Sequence, residues 1–199
     1  MDDAIPEVAD VVFAVSGDTL PDTYAWGLWR AVAGILPWLE AEDCAGILPL
    51  RTSAGGEGVL LSQRAKLVLR VPASRVAQAR RLSGQVLDVA GHRLSVGEGR
   101  ERALQPHASL HAQMVVGAEQ EETFLAGVAA ELSAMGISCK WICGRHIRVA
   151  GEHPLSGYSL VLHELKPEDS LRMQCAGLGP ARRYGCGIFV PYKGIPNLD

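Results

Sequence analysis

Residues 9–39 read ADVVFAVSGDTLPDTYAWGLWRAVAGILPWL. Ala9 to Ser16 is β-branched and apolar and stops at Gly17-Asp18, which predicts a buried strand. Leu20-Pro21-Asp22-Thr23 then supplies a helix start. Tyr24, Leu28, Val32 and Ile35, flanked by Trp29, Leu36 and Leu39, form an apolar stripe at helical spacing. Trp26, Trp29 and Trp38 belong to the same stretch and read as core. Pro37 bends or ends the helix.

Two strands are expected next, AGILPLR (Ala45 to Arg51) and GVLLSQRAKLVLRV (Gly58 to Val71), joined by the glycine-rich turn SAGGEG. A short helix follows from Pro72 to Leu82 and stops at Gly84. VLDVAGHRLSVG then closes the half as a strand pair around Gly91. The order strand, helix, strand, strand, helix, strand recurs in the second half. His107 to Val116 is a strand, and Gln120 to Met135 an amphipathic helix capped by Gly136. ISCKWICGRHIRVAG and GYSLVLHEL are strands, a helix starts at Pro167, and YGCGIFVPY is the last strand. The expected fold is therefore α+β, two tandem ferredoxin-like (βαββαβ) domains, 1–102 and 103–199.

Of the 199 residues, 48% are hydrophobic and 21% charged, which suits a core-forming domain pair and excludes a disordered adaptor. No apolar run reaches the ~20 residues of a membrane span, and the acidic start MDDAIPEVAD lacks the features of a signal peptide, so no membrane partner and a cytoplasmic location are expected. Five cysteines without disulfide-like spacing read as reduced thiols. The net charge of −3 is unevenly spread: residues 51–100 carry nine basic and three acidic side chains, against one and nine in the first fifty. Nearly all the basic residues of that island are arginine, the side chain whose planar fork suits phosphate.

Between the last helix and the last strand lies Gly177-Leu178-Gly179, then five residues including Arg182 and Arg183, then Gly185-Cys186-Gly187. Such glycines serve either to cap a helix and permit a bulge, or to let a phosphodiester chain approach backbone amides, with the two arginines neutralising it at the loop tip.

With its surroundings, EDSLRMQCAGLGPARRYGCGIFVP resembles the CRISPR repeat-RNA processing endoribonucleases of the repeat-associated mysterious protein superfamily. GDTLPDTYAWGLWRAVAGILPWL and GILPLR carry the resemblance less specifically. It implies tandem ferredoxin-like domains, a glycine-rich loop that contacts RNA, and a partner that is CRISPR repeat RNA or its mature crRNA product. The resemblance also allows that the protein stays on that product within a surveillance complex of other subunits. The implied reaction is metal-independent and cofactor-free: a 2′-hydroxyl attacks the adjacent phosphate, leaving a 2′,3′-cyclic phosphate and a 5′-hydroxyl. In many members a histidine at the start of the first helix transfers the proton. Here no histidine precedes His92, and that site falls on or beside Tyr24, which is able to donate a proton but is a poor base. An RNA-binding subunit that does not cut is the alternative.

The remaining candidates come from the residue pattern. His107 and His111 share a strand face with Ser109 and Gln113, opposite Ala108, Leu110, Ala112 and Met114, and His111 is the candidate base. Arg64, Lys66 and Arg70 alternate with Ala65, Leu67, Leu69 and Val71, so they are expected together on one face against the RNA backbone. Arg145, His146 and Arg148 form a second phosphate-binding cluster. Cys139, Cys143 and His146 lack a fourth ligand, so no metal site is expected.

Overall fold

A computed structural model of the protein describes residues 7–17, 19–55 and 58–192. The acidic start at 1–6, Asp18 and the turn tip at 56–57 lie outside them. In β1 (Val8–Ser16), Ala9, Val11, Phe13 and Val15 alternate onto one face and are buried in the first core. β1 is the centre of an antiparallel sheet with β3 (Gly46–Ile47), β6 (Lys66–Pro72), β7 (Val86–Val89) and β8 (His92–Ala103), in the order β3-β6-β1-β8-β7. Its core face is covered by α1 (Tyr24–Ile35) and α2 (Val76–Ala79), which supply Leu28, Trp29, Val32, Val76 and Ala79. β2 (Thr19–Leu20), β4 (Thr52–Ala54) and β5 (Val59–Leu61) make a separate three-stranded sheet, β2-β5-β4.

The second sheet contains β9 (Leu110–Val116), β10 (Lys140–Val149), β11 (Leu155–His163) and β12 (Val190–Pro191), in the order β10-β11-β9-β12. α3 (Glu121–Ala134) and α4 (Pro167–Ala176) bring Phe124, Val128, Leu132 and Met173 onto Leu110, Leu160 and Leu162 to form the second core. With the β7–β8 hairpin counted once, both sheets follow the same order: second, third, first and fourth strand of a βαββαβ unit. The chain is thus a tandem ferredoxin-like protein. Among the described residues no helix is long and apolar enough to cross a membrane.

Two elements depart from the sequence reading. Gly58 to Val71 is not one strand: a turn closed by Ala65 N–H donating to Ser62 O at 2.8 Å separates β5 from β6, and the two join different sheets. Arg64 therefore sits in a turn, off the strand face shared by Lys66 and Arg70. The expected helix at 72–82 is one α-turn between 3₁₀ turns at Ala73–Arg75 and Arg80–Leu82. Its buried apolar residues, Val76, Ala79 and Leu82, are spaced by three, which three residues per turn place on one line against the sheet.

Arg70 also departs from its expected role. It is 1% exposed, and its Nε and Nη2 donate to Asp10 Oδ1 and Oδ2 at 2.8 and 3.2 Å. Its Nη1 donates to Gln174 O and Phe189 O at 3.1 and 2.7 Å. The face expected to be open at this point is covered by the end of α4 and the lead into β12. Arg70 ties the two units together and has no surface for RNA.

Candidate active site

The loop after α4 turns sharply at Gly177 (φ +68°) and winds one 3₁₀ turn over Arg182–Tyr184 before β12. At Gly185 (φ +87°) a Cβ would meet Pro49 Cδ at 2.9 Å, so only glycine lets the loop lie against the segment leaving β3. The amides of the four motif glycines are occupied inside the protein: Gly177 donates to Met173 O, Gly179 to Glu131 Oε2, Gly185 to Arg182 O and Gly187 to Met114 O. The expectation that these amides cradle RNA phosphate is not met in this arrangement; they fix the shape of the loop.

Arg182 is a second correction. It is buried at 7% exposure, and its Nη1 donates to Cys175 O and Ala176 O at the C-terminus of α4, where the helix dipole favours a cation. Burial first, and then the Arg70 charge, lower its pKa to about 10, so it stays charged at neutral pH. It does not stand at the loop tip. Arg183 does: its side chain is 42% exposed, its Nη1 lies 3.2 Å from Glu40 Oε2, and its guanidinium stands 5.4 Å from the Trp29 ring centre. Glu40 Oε1 in turn accepts the Trp29 indole N–H at 2.8 Å, so one carboxylate and one ring hold the arginine.

Tyr24 begins α1, and its hydroxyl accepts a hydrogen bond from Leu50 N–H at 3.0 Å. Among the described residues no acceptor takes the hydroxyl's own proton, which it has available to donate. Burial pushes the phenol above its ordinary value of 10.0, opposed in part by the Leu50 bond, so it is protonated at neutral pH. Tyr24, Pro49, Arg183 and Tyr184 line one narrow crevice, and the Tyr184 ring stacks on Trp26 with centroids 5.3 Å apart. The first helix, the segment after β3 and the glycine-rich loop thus meet around a phenolic donor and a cation.

The open face of the first sheet carries a row of cations. Lys66 faces Ala14 of β1, Arg100 faces Val12 and Arg102 faces Asp10, all on alternate positions of one side. Arg102 Nη2 lies 2.9 Å from Asp10 Oδ2 and remains 56% exposed on its side chain. Arg102, Gln105, His107, Gln174, Val190 and Pro191 line a cleft of about 330 Å³ between the units.

A family model described as Cas6 Crispr matches residues 9–194. The chain belongs to the Cas6 family. The CRISPR-associated endonuclease Cas6 of Myxococcus xanthus (strain DK1622) is 35% identical over 186 residues, covering 92% of this chain and 80% of that one. A solved CRISPR associated protein Cas6 superposes with a TM-score of 0.65 at 10% identity, over 94% of this chain and 100% of that chain. Thermus thermophilus Cse3 bound to an RNA representing a pre-cleavage complex gives a TM-score of 0.53 at 13% identity, over 92% and 98%. Both structural likenesses speak for the fold.

In this Cas6 chain the candidates separate into neighbourhoods. Tyr24 and Arg183 come together. His111 does not line that crevice: register sets it between Val161 and Val190, with its ring 5.9 Å from Tyr192. Burial holds its pKa below the ordinary histidine value. Arg145, His146 and Arg148 are exposed; β10 is irregular between Cys143 and His146, so Arg145 falls in the irregular stretch, while His146 and Arg148, two apart in regular register, share a face. His146 packs on Tyr158 at 4.8 Å and Arg148 pairs with Glu119 at 3.2 Å. Among the described residues no three His, Cys, Asp or Glu side chains converge as metal ligands, Cys139, Cys143 and His146 included. Sequence reading missed Arg100 and Arg102, whose alternation becomes visible once the bulge between Phe13 and Val15 partners resets the phase of β8.

Proposed function

We propose that this Cas6 protein is a CRISPR repeat-RNA endoribonuclease that cuts by 2′-hydroxyl attack without a metal ion. The observation that carries the reading is the Tyr24 hydroxyl, held by Leu50 N–H in the same crevice as Arg183 of the glycine-rich loop. The 2′-oxygen attacks the adjacent phosphorus and its proton passes to solvent. The P–O5′ bond breaks, and the departing oxygen takes the Tyr24 proton, giving a 2′,3′-cyclic phosphate and a 5′-hydroxyl. Arg183 stabilises charge on the equatorial phosphate oxygens, and Glu40 and Trp29 fix its direction. Lys66, Arg100 and Arg102, with Arg64 in the neighbouring turn and Arg145, His146 and Arg148 on β10, hold the RNA backbone. In this reading the two units meet near residues 102–103, and the protein remains on its crRNA product within a CRISPR complex.

The absence of histidine from the first 91 residues favours a second reading, an RNA-binding subunit that does not cut. Incubating the purified protein with its cognate repeat RNA in excess chelator separates the two. A single cut leaving a cyclic phosphate is expected. Tight binding with no cut over hours supports the second reading, and cleavage that appears only on adding magnesium overturns the metal-free mechanism.

A further inference from the structure

Among the described residues no helix covers the face of the second sheet opposite α3 and α4, and it carries a cluster of rings that the cleavage chemistry does not use. Register sets Ile142, Val161, His111 and Val190 in one row across all four strands. Lys140 and His163 pair in the next row, where His163 Nδ1 lies 2.9 Å from Ser109 Oγ and Tyr192 N–H donates to Ser109 O at 3.0 Å. Tyr192 stands between the two histidines: its ring centre is 5.9 Å from His111, tilted by 45°, and 6.0 Å from His163, edge-on at 79°. Helices α3 and α4 pack on the opposite face. Tyr192 is 42% exposed and Ile142 58% exposed, although both are large apolar side chains. Past the end of β11 the face opens into a groove of about 800 Å³ lined by Ser109, Lys140, Trp141, Ile142 and His163.

An open ferredoxin-like sheet bearing rings presents π-faces to unstacked nucleobases, which every base is able to meet. Lys140 at the groove is paired with Glu164 at 2.6 Å, so the charge that favours a polyanion is that of Arg102 in the adjoining cleft. Val190, the register partner of His111, also lines the cleft that holds Arg102 and His107, so a strand whose bases lie on the rings has its phosphates beside those side chains. We propose that Tyr192, His111 and His163 form a stacking platform for unpaired bases of the RNA, with the attached backbone running over Arg102 and His107. The proposal rests on the reading of this chain as a repeat-RNA endoribonuclease, and it makes His111 a binding group and not a proton carrier. Burial keeps the His111 ring neutral at pH 7, the form that stacks without a desolvated charge.

The test uses repeat RNA carrying 2-aminopurine at successive unpaired positions, bound to the parent protein and to Tyr192→Ala, His163→Ala and Tyr192→Phe variants with unchanged thermal melts. The parent should quench the probe at one or two positions. Tyr192→Ala should abolish that quenching and weaken binding by roughly 5- to 150-fold, as loss of one stacked base implies, while cleavage at saturating RNA keeps the parent rate. Tyr192→Phe should restore both quenching and affinity, which a role for the hydroxyl would not, and the unchanged melts of the alanine variants exclude a merely structural role. A parent that cuts the RNA while Tyr192→Ala and His163→Ala bind it equally well overturns the platform alone. A change of oligomeric state in these variants at constant RNA affinity also overturns it, making the face a protein interface. A parent that binds no RNA overturns the platform together with the reading beneath it.

Discussion

Arg182 and Arg183 are adjacent in sequence and opposite in circumstance. Arg183 is at the surface, braced by Glu40 and Trp29, whereas Arg182 is sealed against the carbonyls ending α4. Arg183→Ala should therefore lower the salt dependence of RNA binding by about one unit of slope and slow cleavage. Arg182→Ala should leave the slope unchanged and lower the melting temperature. An Arg182→Ala variant of normal stability with a reduced slope would contradict this division. Glu40→Gln keeps the indole acceptor but removes the charge partner of Arg183, and should alter cleavage more than affinity. Tyr24 donates its proton only below its pKa, and that pKa is raised, so its contribution should persist through pH 9 and vanish only above pH 10. A pH–rate profile with an alkaline fall below pH 9 that Tyr24→Phe removes would show the phenol to be acidified, against its burial.

Strand faces explain where the cations act. Lys66 and Arg100 stand on the open side of neighbouring strands of β1, so a Lys66→Gln/Arg100→Gln variant should lose up to about two units of salt slope while keeping the parent rate at saturating RNA. Titrating binding against salt for both proteins is the check, and equal slopes would take this face out of the RNA path. Local sequence made β1, α1, α3, β11 and α4 legible, because each has a clear period and a glycine or proline at its limits. It misread stretches whose periodicity changes midway. The turn at Ser62–Ala65 splits an apolar run between two sheets, and the bulge in β8 shifts its phase, hiding Arg100 and Arg102. Alternation along β6 correctly put Arg70 opposite the core residues, but local pattern contains nothing of Gln174 and Phe189, which arrive from more than a hundred residues away to cover it. The same long-range packing engages the glycine amides and leaves His111 outside the crevice of Tyr24.

A buried charge network helps to join the two ferredoxin-like units, beside the stacking of Tyr184 on Trp26. Asp10 and Arg70 are each 1% exposed, and Arg70 donates to both units, so Arg70→Met strands a buried carboxylate with only Arg102 beside it. The loss should be about 3–5 kcal/mol in urea unfolding, with much of it recovered in an Asp10→Leu/Arg70→Met pair. A near-neutral Arg70→Met would mean that the joint contributes little. The crevice around Tyr24 depends on this assembly, since the first unit supplies the phenol and the Leu50 amide and the second supplies Arg183. The central claim, that RNA is cut there with the Tyr24 hydroxyl as proton donor, is tested most directly by single-turnover cleavage of the repeat RNA by the intact protein and by Tyr24→Phe. The phenylalanine ring preserves the packing and removes only the hydroxyl. Cleavage by the variant should fall roughly 10²- to 10⁴-fold with RNA affinity nearly unchanged. A Tyr24→Phe protein that cuts at the parent rate would contradict the claim.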